Sequence, residues 1–454
     1  MAQNASEPVG RGARLAARMA FWRLTPETAW RRNLYVVMLA VFVSFTGFTF
    51  VMPFLPLYIK QLGVTDTGNA ALWSGFIFGV SPLISGLLAP VWSMLSERYG
   101  RKVMLQRSLG AFVVLIALMA FVTNIYQLVG LRLLIGFFGG MGAMSVALAS
   151  TIAPRQQVGE AVGLIQATQL SSGIAAPFIG GVLVDAFGLH GSFFIASALC
   201  AIAFLVITVA YRDEDEQGET RAVQSTGEKA KAKPVSSIRA YLHLPIFIGL
   251  LVTVFTIQFV DRSFGPLLPL YISTLDAPLE RIGSITGLVM TLGAVAASIA
   301  AVQAGRLSSR VDPRPLLLGS LVAGAILCLP LAFVSHWVQL LFIRALLGLL
   351  AGGALTLAYA IGGREMPPGA KMGAFGTLAG IGQVGGATSP FVTGILSKWA
   401  SLSAIFIVDA VLYVMLIGWV WMMLRRKDAE AATEPETVPA IATTSKTALA
   451  EGDD

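Results

Sequence analysis

Charged residues are scarce. Asp, Glu, Lys and Arg together make up 13% of the 454 residues, against 56% hydrophobic residues. Ordinary soluble cores cannot hide that much apolar surface, so a soluble globular protein is excluded. Cysteine is almost missing. Cys200 and Cys328 fall inside apolar runs, which leaves no disulfide framework and no metal set and makes small apolar packing their expected role. The histidines, His190, His243 and His336, stand at the ends of such runs. There they read as interfacial residues, with a proton relay as the alternative. A Walker A stretch, a Ser-His-Asp arrangement, a metal-ligand cluster and a glycine fingerprint after a strand are all lacking. That sets aside an ATP-driven pump and a soluble-type enzyme.

What the chain has is apolar length. Runs of ~18 or more residues with few charges read as bilayer-spanning helices. Twelve occur, at about 34–59, 72–95, 103–122, 126–150, 161–184, 192–211, 244–272, 282–304, 316–334, 338–361, 372–396 and 402–424. They are spans 1 to 12. The expected fold is an all-α membrane protein of two six-helix bundles. Segment 1–33 is a basic, cytoplasmic N-terminal piece, with Arg11, Arg14 and Arg18 at helical spacing beside Leu15, Met19, Phe21 and Trp22. The first bundle covers 34–211 and the second 244–424. The acidic and lysine-bearing stretch 212–243 is a cytoplasmic linker, and 425–454 reads as a disordered cytoplasmic tail.

The net charge of +7 invites a nucleic-acid reading, but its distribution rejects one. Arg31, Arg32, Arg98, Arg101, Lys102, Arg310, Arg314, Arg425 and Arg426 all fall on one side of the spans. Loops on the other side carry only Lys60, Arg281 and Lys398. This asymmetry puts the arginine-rich loops and both termini in the cytoplasm. Short loops and an Arg- and Ala-rich composition point to a bacterial inner membrane.

The chain is also internally duplicated. Leu-Pro-Leu-Tyr-Ile occurs at 55–59 and again at 268–272, 213 residues apart, each with a further proline upstream, Pro53 and Pro266. Arg132-Leu-Leu-Ile-Gly136 in span 4 matches Arg344-Ala-Leu-Leu-Gly348 in span 10. Gly163, Pro177, Phe178 and Gly181 in span 5 match Gly376, Pro390, Phe391 and Gly394 in span 11. Two halves of one topology, related by an axis along the membrane normal, are a transporter architecture.

These motifs resemble the major facilitator superfamily across residues 34–424. The family's loop 2–3 pattern, Gly-x-Leu-x-Asp-Arg-x-Gly-Arg-Lys, is met by Ser93, Leu95, Glu97, Arg98, Gly100, Arg101 and Lys102. The resemblance implies a cytoplasmic gating latch, with the Glu97 carboxylate facing the start of span 11 near Met372. The second copy carries Ser309 and Asp312 in place of the acid and the glycine. Span 5 is similar to the family's antiporter motif, with Thr168, Ser172, Ala176, Pro177, Gly180 and Gly181 at the motif positions. Those small residues serve helix packing alone, or packing that also restricts leak and favours antiport. The start of span 1 through Gly63, together with Leu131, Arg132 and Gly136, resembles the twelve-helix bacterial drug:proton antiporters.

Ionisable residues at membrane depth are functional candidates by default. Arg132, Asp261, Arg262, Arg344 and Asp409 are five such residues. At ~1.5 Å of rise per residue they lie at similar depth in the outer half. Asp261 and Arg262 project about 100° apart on one helix, so they are not expected to pair. The resemblance implies a cavity lined by spans 1, 4, 7 and 10, which makes Asp261 with Arg344 the preferred pair and Arg262 with Asp409 the second, either as structural bridges or as a proton switch in which Arg344 competes for Asp261. Asp261→Asn should then abolish proton-coupled transport and spare folding. Arg132 has backbone carbonyls, Ser44, Thr46, Gln166 and Gln169 as possible partners, either as an anchor or in the coupling role that the family's span 4 arginine implies. An aromatic and methionine-rich cavity is expected, from Phe45, Phe48, Phe50, Met52, Trp73, Phe76 and Phe78, with Gln258 and Gln383 orienting the substrate.

The function expected is proton-coupled efflux of drug-like or amphipathic small molecules by alternating access. A proton-coupled symporter or exporter of a specific metabolite, such as an organic acid or sugar, is the alternative. A non-transporting sensor belongs to a different class and would show no counterflow. Expected partners are a small-molecule substrate and membrane lipid, with no nucleic acid, no second subunit and no cofactor beyond the proton gradient.

Overall fold

The structure, a computed structural model, describes residues 29–154, 157–211, 245–365 and 371–433. Residues 1–28 of the basic N-terminal segment, all of the 212–243 linker and the tail beyond 433 lie outside the described residues. Among those described, every regular element is helical. Span 1 is Ala29–Phe50 with Leu55–Gln61, span 2 Thr67–Tyr99 and span 3 Arg101–Met119. Span 4 is Ile125–Phe138 with Met141–Ile152. Spans 5 and 6 share Val158–Ala210, which breaks at Gly188, where φ is 67°. Span 7 is Pro245–Ser263 with Leu268–Ile272, span 8 Ile282–Ser308 and span 9 Pro313–Leu331. Span 10 is Trp337–Ala351 with Ala354–Glu365, span 11 Lys371–Trp399 and span 12 Ala404–Thr433. Among the described residues, nine helices are long and apolar enough to cross a membrane, the one that holds spans 5 and 6 among them. Divided span 4 and glycine-rich span 11 fall short of that measure.

The repeated pentapeptide has the same structural job twice. Proline lacks a backbone N–H, so Pro53 and Pro266 turn the chain into 3-10 helices at Met52–Phe54 and Gly265–Leu267. Each turn aims the following tyrosine at the end of a neighbouring helix. Tyr58 donates to the Met119 carbonyl at 2.7 Å, and Tyr271 donates to the Leu331 carbonyl at 2.8 Å. A terminal helix carbonyl in an apolar setting needs such a donor. Phe193 packs edge-on against Tyr58, and Phe406 does the same against Tyr271.

Spans 4 and 10 are also broken at matching places, Gly139-Gly140 and Gly352-Gly353. Gly140 takes φ 98°, a conformation that costs other residues strain. Arg107 of span 3 caps the first break. Its guanidinium lies 3.4 Å from the Trp92 ring centroid and donates to the carbonyls of Phe138 and Gly139.

The halves touch through two seams related by the same repeat, and the proline turns of spans 1 and 7 also meet each other across the halves. In one, span 2 packs on span 11, and a Cβ on Gly75 would collide with the Pro390 carbonyl oxygen. In the other, span 8 packs on span 5, and a Cβ on Gly287 would collide with the Pro177 carbonyl oxygen. Gly394 lies against Ala71, and Gly181 against Gly283. Absent side chains let the backbones meet. All these contacts lie toward the loop 1–2 end of the spans. Toward the loop 2–3 end, Gly86, Gly163, Gly173 and Gly380 have open space where a Cβ would stand. The halves therefore meet backbone to backbone toward the loop 1–2 end, and these four glycines make no such contact toward the loop 2–3 end.

Candidate functional site

The loop 2–3 side holds a cavity of about 610 Å³. It is lined by Phe45 of span 1, Gly142, Val146, Ala147 and Ser150 of span 4, Gln169 of span 5 and Gln383 of span 11. Both halves contribute. The expected lining is corrected here. Phe45 and Gln383 line the cavity, but the other residues named for it do not. Phe48 stacks on Phe112, Phe50 is fully buried, and Met52 receives a hydrogen bond from Arg132. Trp73 and Phe76 join Tyr126 and Phe391 in an edge-on aromatic cluster at the closed seam. Phe78 packs at the edge of the core, and Gln258 lies beside Gly382. Small residues at Gly142 and Ala147, not aromatics, make the room.

The span 5 motif runs along this boundary. Thr168 bonds back to Leu164, and the Ser172 hydroxyl lies 3.0 Å from that of Thr46. Ala176 is buried, and Gly180 meets the Phe50 carbonyl of span 1. Pro177 and Gly181 meet span 8 of the other half. One helix thus packs on its own bundle and on the opposite one. Thr291 adds a hydrogen bond across the halves, to the Ile174 carbonyl at 2.8 Å.

Asp185 fastens the closed seam. Its carboxylate accepts from the backbone N–H of Gly283 at 2.9 Å and of Ser284 at 2.7 Å, at the start of span 8. A carboxylate on a helix N-terminus gains from charge-assisted bonds and from the helix dipole. The matching residue in the second half is Lys398, so only one seam has this fastening. Asp185→Ala should loosen this seam and, because the halves move as units, the matching span 2–span 11 seam that holds Ala71. We expect the labelling rate of a cysteine at position 71 to rise about 5- to 10-fold, as a loss of ~1–1.5 kcal/mol from one state implies. Unchanged labelling would rule the fastening out.

The intramembrane charges fall into two groups. In the second half, Asp409 is buried and its Oδ2 accepts from the Ser263 hydroxyl at 2.6 Å, while Oδ1 has no partner. Arg344 is its charged neighbour, and Asp261 and Arg344 both act electrostatically on Tyr413 beside it. The expected pairs do not form. Asp261 and Arg262 are exposed and lie 3.8 Å apart, a contact that long side chains reach even though their Cβ atoms diverge. Asp409 takes Ser263 and the field of Arg344 instead of Arg262. In the first half, Arg132 is 2% exposed and donates to the Met52 thioether at 3.0 Å. None of its expected side-chain partners is used. Ser44 bonds the Ala40 carbonyl, Thr46 meets Ser172, Gln169 meets Gly142 and Ser145, and Gln166 is exposed.

In the loop 2–3 turn, Gly100 has φ 89° and joins spans 2 and 3. Arg98 lies over the Tyr99 ring, and Lys102 donates to the Tyr211 carbonyl at 3.2 Å. The side chains of Ser93, Glu97 and Arg101 lie outside the described residues, and with them the expected latch on span 11. The second copy is tied within its own bundle, through Arg314 on Glu365 at 2.9 Å and Arg364 on the Ser308 carbonyl.

The family profile described as Major Facilitator Superfamily matches residues 37–286 and 279–450. The chain belongs to the Major Facilitator Superfamily. Among its superfamily relatives, the multidrug resistance protein MdtG of Escherichia coli O81 is 30% identical over 402 residues, covering 88% of this chain and 97% of that protein. A multi-drug resistance efflux pump PmrA homolog of Lactococcus lactis is 32% identical, also over 88% and 97%. The superfamily fold is shared with a bacterial homolog of the lysosomal transporter Spinster, crystallised inward-facing and occupied, at TM-score 0.70 and 13% identity. That match covers 88% of this chain and 98% of the other. The nucleoside transporter NupG matches at TM-score 0.68 and 13% identity, over 86% and 99%.

The asymmetric fastening by Asp185 and the paired glycine breaks escaped the sequence reading. Glycine pairs at repeat-equivalent positions and a lone acid at the end of span 5 were the available signals.

Proposed function

We propose that this superfamily member exports drug-like amphipathic small molecules by proton antiport, working as a monomer without a cofactor and without enzymatic activity. The observation that carries this reading is the pair of glycine–proline seams closed on one face above a cavity open to the other. Such a geometry supports alternating access, because opening the seams while closing the loop 2–3 side exposes the same cavity to the opposite compartment. The arginine-rich loop face is assigned to the cytoplasm of a bacterial inner membrane, so both termini are cytoplasmic and the cavity opens inward. The multidrug efflux names of MdtG and the PmrA homolog support the substrate class.

Asp409 replaces Asp261 as the assigned proton carrier. It is the buried acid, it has one oxygen without a partner, and Arg344 is placed to respond to its charge. In proteoliposomes with an imposed pH gradient, a fluorescent amphipathic dye should move uphill against the proton flow. Asp409→Asn should lower that uphill transport by ~10-fold or more and keep dye–dye exchange. Dye movement indifferent to the gradient and to an uncoupler would overturn the antiport reading.

A further inference from the structure

Within the export reading, on which this rests, we propose that Gln169 is the specificity-determining acceptor of the cavity. The site then takes uncharged amphiphiles that carry an N–H or O–H donor. The orientation of Gln169 is fixed by its neighbours. Its Nε2 donates to the Gly142 carbonyl at 3.1 Å and to the Ser145 hydroxyl at 3.0 Å. The Ser145 hydroxyl in turn donates to the Gly142 carbonyl at 2.9 Å, so it can only accept from Gln169. Both amide hydrogens are thereby used, and flipping the amide would set its oxygen against the Gly142 carbonyl. What remains is Oε1. It accepts no hydrogen bond among the described residues and is not among the buried unpartnered atoms, so it stays accessible in the cavity.

The rest of the lining fits that assignment. Phe45, Val146 and Ala147 form an apolar wall, and no residue lining the cavity is charged. An ion entering would lose hydration without meeting a counter-charge, whereas a neutral ligand meets no such penalty. Gln383 faces the cavity from the other half and has no hydrogen bond to the protein among the described residues. Its amide can turn to donate or accept. A ligand held by the fixed acceptor on one side and the adaptable amide on the other ties the two halves together. The volume, about 610 Å³, suits a drug-sized molecule.

Equilibrium binding to the purified full chain in lipid nanodiscs tests this, with three probes on one aromatic scaffold. One bears a secondary amide, the second is its N-methylated analogue without the donor, and the third carries a quaternary ammonium. The secondary amide should bind about 10-fold tighter than the N-methylated probe, and the cation weakest. Gln169→Leu should erase the difference between the two neutral probes while the N-methylated probe still binds, which also reports an intact fold. Gln169→Glu should move preference toward the cation. Ser145→Ala frees the amide to turn and should shrink the discrimination to about 2- to 3-fold. Equal affinities for the neutral probes, discrimination that survives Gln169→Leu, or no binding by any probe would each overturn the assignment. Gradient-driven dye efflux in proteoliposomes is a separate readout, so export can stand when this assignment falls.

Discussion

Gly287→Leu should abolish transport and leave the loop 1–2 face open. Gly287 lies where spans 5 and 8 meet, and even a single Cβ there would stand 2.9 Å from the Phe178 Cα besides striking the Pro177 carbonyl. Those atoms are backbone, so no rotamer change relieves the clash. The seam can only part. Overpacking typically costs ~1–3 kcal/mol, and here the whole cost falls on the closed conformation. The ratio of the two conformations should therefore shift by about 5- to 150-fold. Gly75→Leu, in the matching seam against Pro390, should act alike. Gly86→Leu, with open space around it in this conformation, leaves the seams untouched. Labelling by a membrane-impermeant maleimide at an added cysteine in position 71 reads the outcome. Cys200 and Cys328 are buried and contribute little background. Wild-type labelling in Gly287→Leu, together with retained transport, would show that the seams do not gate the cavity.

The seams also show what a sequence carries and what it hides. Apolar length and the repeated Leu-Pro-Leu-Tyr-Ile were enough for the spans and the two halves, because both depend on local order along the chain. The tyrosine hydrogen bond is made twice for the same reason that the motif is written twice. Depth is legible too, since helical rise is constant. Azimuth is not. Asp261 and Asp409 could both be placed at one level, yet which of them turns inward depends on how spans 7 and 12 are rotated as they pack. Ser263 and Asp409 meet across 146 residues. Partners without a polar side chain are harder still. Asp185 binds backbone N–H groups of another span, and Arg132 binds a thioether. Neither acceptor nor donor stands out in a list of residue types. Glycine was legible as a permission for close approach, but only the fold says which backbone comes close.

Arg132→Met should make the protein more stable and nearly inactive. The guanidinium is almost wholly enclosed, has the Met52 thioether as a hydrogen-bond partner and leaves Nε unpaired. No acid forms an ion pair with it among the described residues. Even lenient insertion scales put an arginine near the bilayer centre at ~3 kcal/mol. A methionine of similar length removes that penalty and keeps the volume filled, and comparable replacements of buried charges gain about 1–4 kcal/mol. The backbone anchor survives, because the Ser81 hydroxyl bonds the Arg132 carbonyl at 2.7 Å. A residue that destabilises its own fold is retained for work. We therefore expect gradient-driven transport to fall by ~100-fold or more while the thermal midpoint rises. The repeat supplies the control. Arg344 occupies the matching position in span 10, and it too has an unpaired Nε, but Asp409 is its charged neighbour. Arg344→Met leaves that carboxylate buried on one hydroxyl, so its thermal midpoint should not rise. Thermal unfolding of the two variants side by side decides the matter. Equal shifts would mean that Arg132 is no less compensated than its counterpart. A lower midpoint for Arg132→Met would make it a structural anchor.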